Sequence, residues 1–480
     1  MKKLIILVLS FTFTFTFAQN INWSPTATVE EAVFNFNFGV SGEYLGEINN
    51  YKYFVYHHIK NQFLVTEDVT FCILKVQNNQ IVQATPFFET KYDLLKITFL
   101  NNKISVIYID DEDKATHYVK IDDYDPNSLT FIKTSTLYSF HAAAKKNSFK
   151  KFVFSDDKTK MAILTPAINE KQNCFSLLFK VFDLNLNELN ESYCSIDYEG
   201  TKTIGDMHLS NDGAIYFNIN NYLSEKDADI FSNIYFYKIS QDDIKIINFE
   251  IAEDFIFNDM KFIQSFDKKN DIRFLITRDK QITFYNLDFN TENINEENLF
   301  ETPEGKWNVD KYFSFSNGNS VLVLADKGII FFSSQSGQCY INWNKNFLVL
   351  NFDKSGNEII NKQLVIRHFT ETERFQSAEG NIKTASFYYE SNNSLSFIYN
   401  TNPLVNKDNY SKFDVKKNTS KPIAKICTIF DNGEILEKTL FDSDVEDGIY
   451  IPGFSFLNED HSLNICKAKK KKITFGTIAL

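Results

Sequence analysis

Apolar and polar residues alternate with period two along most of the chain, as in Ile104-Ser105-Val106-Ile107-Tyr108-Ile109 and Ser320-Val321-Leu322-Val323-Leu324. These segments are rich in Phe, Tyr, Ile and Val, which suit a half-buried pleated surface, so they predict β-strands. Stripes at helical spacing are scarce, and only residues 28–34 read weakly as a helix. The fold class is all-β.

A unit recurs: a short strand, a polar turn, then a second alternating strand. The turns fall at Asn49-Asn50, Asn101-Asn102, Asp156-Asp157, Asn211-Asp212-Gly213, Lys268-Lys269-Asn270, Asn317-Gly318, Asn392-Asn393 and Glu459-Asp460. A second hairpin follows within each unit, clearest at Phe182-Asp183-Leu184-Asn185, Phe352-Asp353-Lys354-Ser355-Gly356-Asn357 and Phe430-Asp431-Asn432-Gly433-Glu434. Asn, Asp and Gly belong there because tight hairpins need positive φ. Two hairpins make four strands, A to D, and a period near 50 predicts a β-propeller of four-stranded antiparallel blades. Counting A/B turns gives eight blades, or seven if the divergent first unit belongs to the closing blade. The final unit, residues 453–480, offers three strands, so a strand from residues 21–40 is expected to complete it and close the ring.

Ser210-Asn211-Asp212-Gly213-Ala214-Ile215-Tyr216 resembles the strand-turn-strand of many bacterial propellers. Phe430-Asp431-Asn432-Gly433-Glu434-Ile435 and the terminal Lys472-Ile473-Thr474-Phe475-Gly476 resemble the end of a group of uncharacterised secreted propeller-like proteins of Gram-negative bacteria. The resemblance spans nearly the whole chain after residue 18, implies the fold and implies no activity. The Trp-Asp ending of WD-type blades is missing.

Lys2 and Lys3 precede an apolar run over residues 4–17, and Thr16-Phe17-Ala18 places small residues before Gln19. Residues 1–18 therefore read as a signal peptide. As a helix the run rises about 21 Å, short of the ~30 Å hydrocarbon core, and no later stretch is long enough to span a membrane. The expectation is an exported protein, periplasmic or extracellular, with residues 19–480 forming one propeller domain. Lys and Arg total 50 against 62 Asp and Glu, a net charge of −12, which becomes −14 without Lys2 and Lys3. Phosphate backbones are repelled overall, arguing against nucleic acid as a partner. The basic run at Lys467 and Lys469-Lys470-Lys471-Lys472 reads as a hairpin turn between the last two strands.

Six cysteines, at 72, 174, 194, 339, 427 and 466, are too widely spaced for a disulfide framework or a Cys-x-x-Cys metal site. Most sit in apolar runs, where a thiol behaves as a small hydrophobe. Cys174 and Cys194 flank the turn at Asp183 as rough cross-strand partners, and a disulfide between them is one possibility. The sequence has no Gly-x-Ser-x-Gly elbow, His-Glu-x-x-His, phosphate loop or Gly-x-Gly-x-x-Gly. His57 and His58 are adjacent on a predicted strand and point to opposite faces, so they cannot share a metal. The acidic clusters Asp110-Asp111-Glu112-Asp113 and Asp442-Ser443-Asp444-Val445-Glu446-Asp447 lack EF-hand spacing and read as solvated turns or weak calcium sites. No cofactor and no metal are implied.

Loop length supplies the remaining signal. The A/B turns are short, whereas the B/C segments swell at 325–346, 401–422 and 222–232, and the connection 367–381 is long. These extensions gather on one rim, and long loops on a rigid scaffold are where binding resides. Arg278, Arg367 and Arg374 fall at that rim with His368, Tyr340 and Trp343. Guanidinium groups fork onto carboxylates and phosphates, and aromatic rings stack on sugars and side chains. The expected function is a non-catalytic binding or scaffold protein that presents this rim to a protein or glycan of the cell envelope. The alternative is a secreted hydrolase or lyase whose site lies in the central channel, which inward Asp, Glu, His or Arg from several blades would favour.

Overall fold

The computed structural model describes residues 21–479 apart from 29–40, 61–67, 86–87, 91–92, 111–115, 142–149, 170–173, 197–201, 223–230, 242, 251–258, 265–270, 279, 306, 335–336, 374–385, 392, 402–422, 443–448 and 470–471. The strands pair into eight antiparallel sheets. Blades 1 to 7 occupy 41–90, 93–141, 151–195, 202–250, 259–301, 307–373 and 386–442, and blade 8 occupies 449–478 together with 22–28. First strands of consecutive blades contact one another, as in the parallel bridge between Ser155 and Leu209, so strand A of each blade is innermost.

Tight turns set this register. Asn49-Asn50 and Asn101-Asn102 hold φ of 53° and 63°, and of 50° and 58°, the paired positive values that match the right-handed twist of flanking strands. A four-stranded blade buries neither face alone. Each of the eight seams between blades accordingly has its own apolar cluster, built from the alternating residues of two facing sheets. Aromatic rings fill much of this space: Phe217 stacks on Tyr237 with centroids 4.6 Å apart, and Phe274 on Tyr285 at 4.9 Å.

The N-terminal segment closes the ring. Asn22–Trp23 and Ala27–Thr28 pair with Lys472–Ile478 as the outer strand of blade 8. The innermost strand of that blade begins before residue 453: Ile449–Tyr450 and Phe456–Leu457 flank a 3₁₀ turn at Pro452–Phe454, where the ring fixed by Pro452 interrupts pairing. Lys469 faces Lys472 across the last hairpin.

Two expectations change. Residues 325–346 are mostly strand rather than loop: Ser320–Ser334 and Gly337–Phe352 form one long hairpin, and Glu358–Glu373 follows it to the same height. The Ile329-Ile330-Phe331-Phe332 and Tyr340-Ile341-Asn342-Trp343 runs carry the β-propensity that continues these strands past the blade. The Cys174–Cys194 disulfide is absent. Register places Cys194 opposite Leu177, three residues from Cys174, and Cys194 is a buried free thiol whose pKa burial pushes up to about 12. Of the residues read as weakly helical, Thr28 is in a strand and 29–34 lie outside the described residues.

Candidate functional site

The residues singled out on the long-loop rim divide between two blades. Arg278 ends strand B of blade 5, paired with Gln281 across the B/C turn, and its charge acts on the buried Tyr285 phenol, whose pKa burial raises. Tyr340, Trp343, Arg367 and His368 lie on blade 6, in the part of strands B, C and D that continues beyond strand A, which pairs only as far as Asp326. These eight-residue continuations form a three-stranded arm reaching about 26 Å past the blade. Tyr340 faces Thr372, Asn344 faces His368 and Trp343 faces Phe369. Because residues alternate, Tyr340 and His368 register on one face of the arm and Trp343 on the other. Arg367 lies where the C/D register shifts beside Asn344, and Arg374 lies outside the described residues. Register places Ile330, Phe332, Cys339, Ile341 and Phe369 on the same face as Trp343, together with Glu371 and Glu373.

A second set of groups, not singled out by the sequence, lies on the innermost strands. The Phe262 amide donates to Asp206 Oδ2 at 3.2 Å, the Val309 amide to Asp259 Oδ2 at 2.8 Å, and the Tyr388 hydroxyl to Asp310 Oδ2 at 2.6 Å. Each carboxylate thus reaches from one blade to the next, from 4 to 5, 5 to 6 and 6 to 7. Ion pairs extend the pattern: Lys311 meets Glu390 at 2.8 Å and Lys96 meets Glu43 at 2.5 Å, while His208 Nε2 lies 3.6 Å from Asp156. Asp206 is aimed by a bulge at Gly205-Asp206, where the amide of Asp206 donates to Asn218 Oδ1 at 2.8 Å. The sequence did hold a signal for two of these groups, since Gly205-Asp206-Met207-His208 and Asn258-Asp259-Met260-Lys261 repeat an Asp-Met-basic triplet at the blade period.

Burial pushes the Asp259 pKa up to about 6, and the Asp206 charge adds to the rise against the opposing pull of Lys261 and two backbone amides. Burial lowers the His208 pKa, opposed by Asp156 and Asp206. A carboxyl of raised pKa beside a second acidic side chain is an arrangement that acid catalysis uses. All three aspartates, however, accept a hydrogen bond from the neighbouring blade, and joining innermost strands is the task their geometry displays. Among the described residues no group of His, Cys, Asp and Glu has metal-site geometry.

The raised Asp259 pKa has a thermodynamic consequence. The folded state binds the proton more tightly than the unfolded chain, so stability falls as pH rises from about 4 to about 6 and stays lower above it. Two pKa units set an upper bound of about 3 kcal/mol, reduced by partial solvent access. Asp259→Asn keeps an acceptor for the Val309 amide and removes the charge. It is expected to raise stability by about 1–2 kcal/mol at pH 8 and to change little at pH 4, measured by urea unfolding. A variant less stable than the parent at pH 8 contradicts this account.

No family model matches the chain, and no curated protein matches it. Solved β-propellers are similar to it in fold. The propeller domain of the Trilobed protease from Pyrococcus furiosus shares 11% identity at a TM-score of 0.39, covering 85% of this chain and 99% of its own. An uncharacterised protein of Listeria monocytogenes shares 11% at 0.34, over 83% and 94%. The polysaccharide lyase Uly1 shares 9% at 0.35, over 96% and 100%. The likeness is one of architecture. Among the described residues no helix is long and apolar enough to cross a membrane.

Proposed function

We propose that the protein is an exported, non-catalytic binding or scaffold protein that holds a protein or glycan of the cell envelope on the rim carrying the blade 6 arm. The arm is the observation that supports this reading. Eight residues of strand B continue past the end of strand A, so among the described residues they lack the inner neighbour that the same strand has lower in the blade, and register gathers Ile330, Phe332, Ile341, Trp343 and Phe369 on one face of the arm with Glu371 and Glu373 at its D strand. Unpaired strand edges are costly in isolation and are typical of surfaces that a partner covers. The innermost-strand aspartates Asp206, Asp259 and Asp310 each accept a hydrogen bond from the next blade, which supports a structural role for them over a catalytic one.

The test is a pull-down from envelope extract and polysaccharides with residues 19–480, beside a variant in which a two-residue Asn-Gly turn replaces 328–343 and an Arg367→Ala/Arg374→Ala variant. Trimming is expected to leave the far-ultraviolet spectrum of a folded β-protein and to lose the partner by at least tenfold. A partner retained equally by the trimmed chain overturns the reading. No partner with any chain also overturns it and turns attention to hydrolase or lyase substrates for the channel.

A further inference from the structure

The seam between blades 7 and 8 is filled only in part. Its apolar cluster holds Ile398, Ala424, Ile426, Leu440 and Tyr450, with Leu463, Ile465 and Ile478 from the last two strands. Toward the A/B-turn rim, opposite the arm, the face of blade 7 changes to hydroxyl residues. Register aligns Tyr389 with Ser396, Ser396 with Thr428, and Thr428 with Leu436 across all four strands. The face that blade 6 turns to blade 7 carries Val321, Val323, Ala325, Phe347 and Val349 in its seam. Short serine and threonine side chains cannot reach across as those do, and a cavity of about 590 Å³ remains, walled on the far side by Leu457 and His461 of blade 8. That volume lies in the range of small-molecule sites.

The lining indicates what fits. Ile426, Phe430, Leu436 and Leu457 make an apolar wall. The hydroxyls satisfy one another: Ser396 Oγ and Thr428 Oγ1 are 2.9 Å apart, and Ser391 Oγ and Ser394 Oγ 2.7 Å. They therefore ask little of a ligand. Besides the Tyr389 phenol, three ionisable side chains line the cavity and differ in their engagement. Glu390 is neutralised by Lys311 at 2.8 Å, whereas Lys438 and His461 are exposed and have no side-chain partner among the described residues. The mouth is thus cationic in a chain whose net charge is −12. An apolar body with one anionic end matches both parts, the body against the wall and the anion beside the Lys438 ammonium.

We propose that this groove binds an amphipathic carboxylate of the aliphatic, fatty-acid type. The site lies on the rim opposite the arm and stands independently of the binding role assigned there. The test uses residues 19–480 and displacement of 8-anilinonaphthalene-1-sulfonate by decanoate, decanol and decyltrimethylammonium. Decanoate is expected to compete saturably at one site, at least tenfold better than decyltrimethylammonium. Lys438→Glu is expected to weaken decanoate at least tenfold and to leave decanol unchanged, and Leu436→Asp to weaken both. Both positions are exposed, so the ring folds with either change. Lys133→Glu, exposed on the outer strand of blade 2, makes the same change in net charge and is expected to have no effect. Absence of saturable competition, equal affinity for the cationic analogue, or equal loss with Lys438→Glu and Lys133→Glu each overturns the proposal.

Discussion

Removal of residues 19–28 is expected to lower the melting temperature of the ring by about 10 °C and to make the shortened chain aggregate. Asn22 and Trp23 pair with Thr477 and Gly476, and Ala27 and Thr28 with Ile473 and Lys472. Between them the Ser24 amide donates to Phe475 O at 2.9 Å, and the hydroxyls of Thr26 and Thr474 meet at 3.0 Å. Trp23 sits edge-on to Phe441 of blade 7 at 5.4 Å and beneath the Lys467 ammonium of blade 8 at 4.3 Å, so one side chain of the N-terminal segment packs into the seam between blades 7 and 8. Half-burial of Trp23 and Ile21 contributes about 2–3 kcal/mol, and the lost hydrogen bonds about as much again. The cost exceeds that sum in practice, because truncation also bares the edge of Lys472–Ile478 as a template for another chain. Calorimetry of residues 29–480 against 19–480, with light scattering, checks both effects. A transition within about 2 °C of the parent would show that the last hairpin closes the ring unaided.

Gly205→Ala is expected to cost about 3 kcal/mol although it adds a single methyl group. A Cβ at this position falls 2.3 Å from Asn218 Nδ2, 2.5 Å from its Oδ1 and 2.7 Å from its Cγ. Asn218 is wholly buried and cannot step aside cheaply. Its carbonyl oxygen accepts from the Asp206 amide at 2.8 Å, and its amide donates to Asn220 Oδ1 at 2.6 Å. Displacing it orphans buried polar groups, each worth about 1–3 kcal/mol. The bulge would also turn Asp206 away from the Phe262 amide of blade 5, loosening the join between innermost strands. Since the methyl acts through Asn218, Gly205→Ala and Asn218→Ala should not add: the double variant is expected to be little less stable than Asn218→Ala alone. Urea unfolding of the four chains decides it, and additive losses would place the strain elsewhere.

Turn chemistry and alternation made the architecture legible. Paired asparagines and Asn-Gly turns require positive φ, and the residues between them alternate, so strand count, blade period and the missing eighth outer strand all follow from local rules acting on consecutive residues. Swollen segments were legible only as extra length. Whether residues 327–344 form loop or strand depends on a third strand, 366–373, that arrives to pair with them, and register alone separates Tyr340 and His368 from Trp343. Cysteine pairing failed for the same reason, since a bonded pair needs a register that a turn position does not specify to within three residues.

Contacts between blades lay further from view. Asp206 and the Phe262 amide are 56 positions apart and meet only because the ring brings innermost strands together. The unfilled seam between blades 7 and 8 is likewise a sum over two sheets: Ser394, Ser396 and Thr428 look like ordinary strand residues until the blade that faces them fails to reach across. By itself the sequence determined the four-stranded blade, its turns and a ring of seven or eight such units, because those features are set by backbone conformation within a few residues. Only the tertiary structure decided that eight blades close the ring, that residues 327–344 extend as strands, which carboxylates join blades, that the Cys194 thiol stays free and where a cavity opens, because each depends on distances between segments that closure of the ring sets.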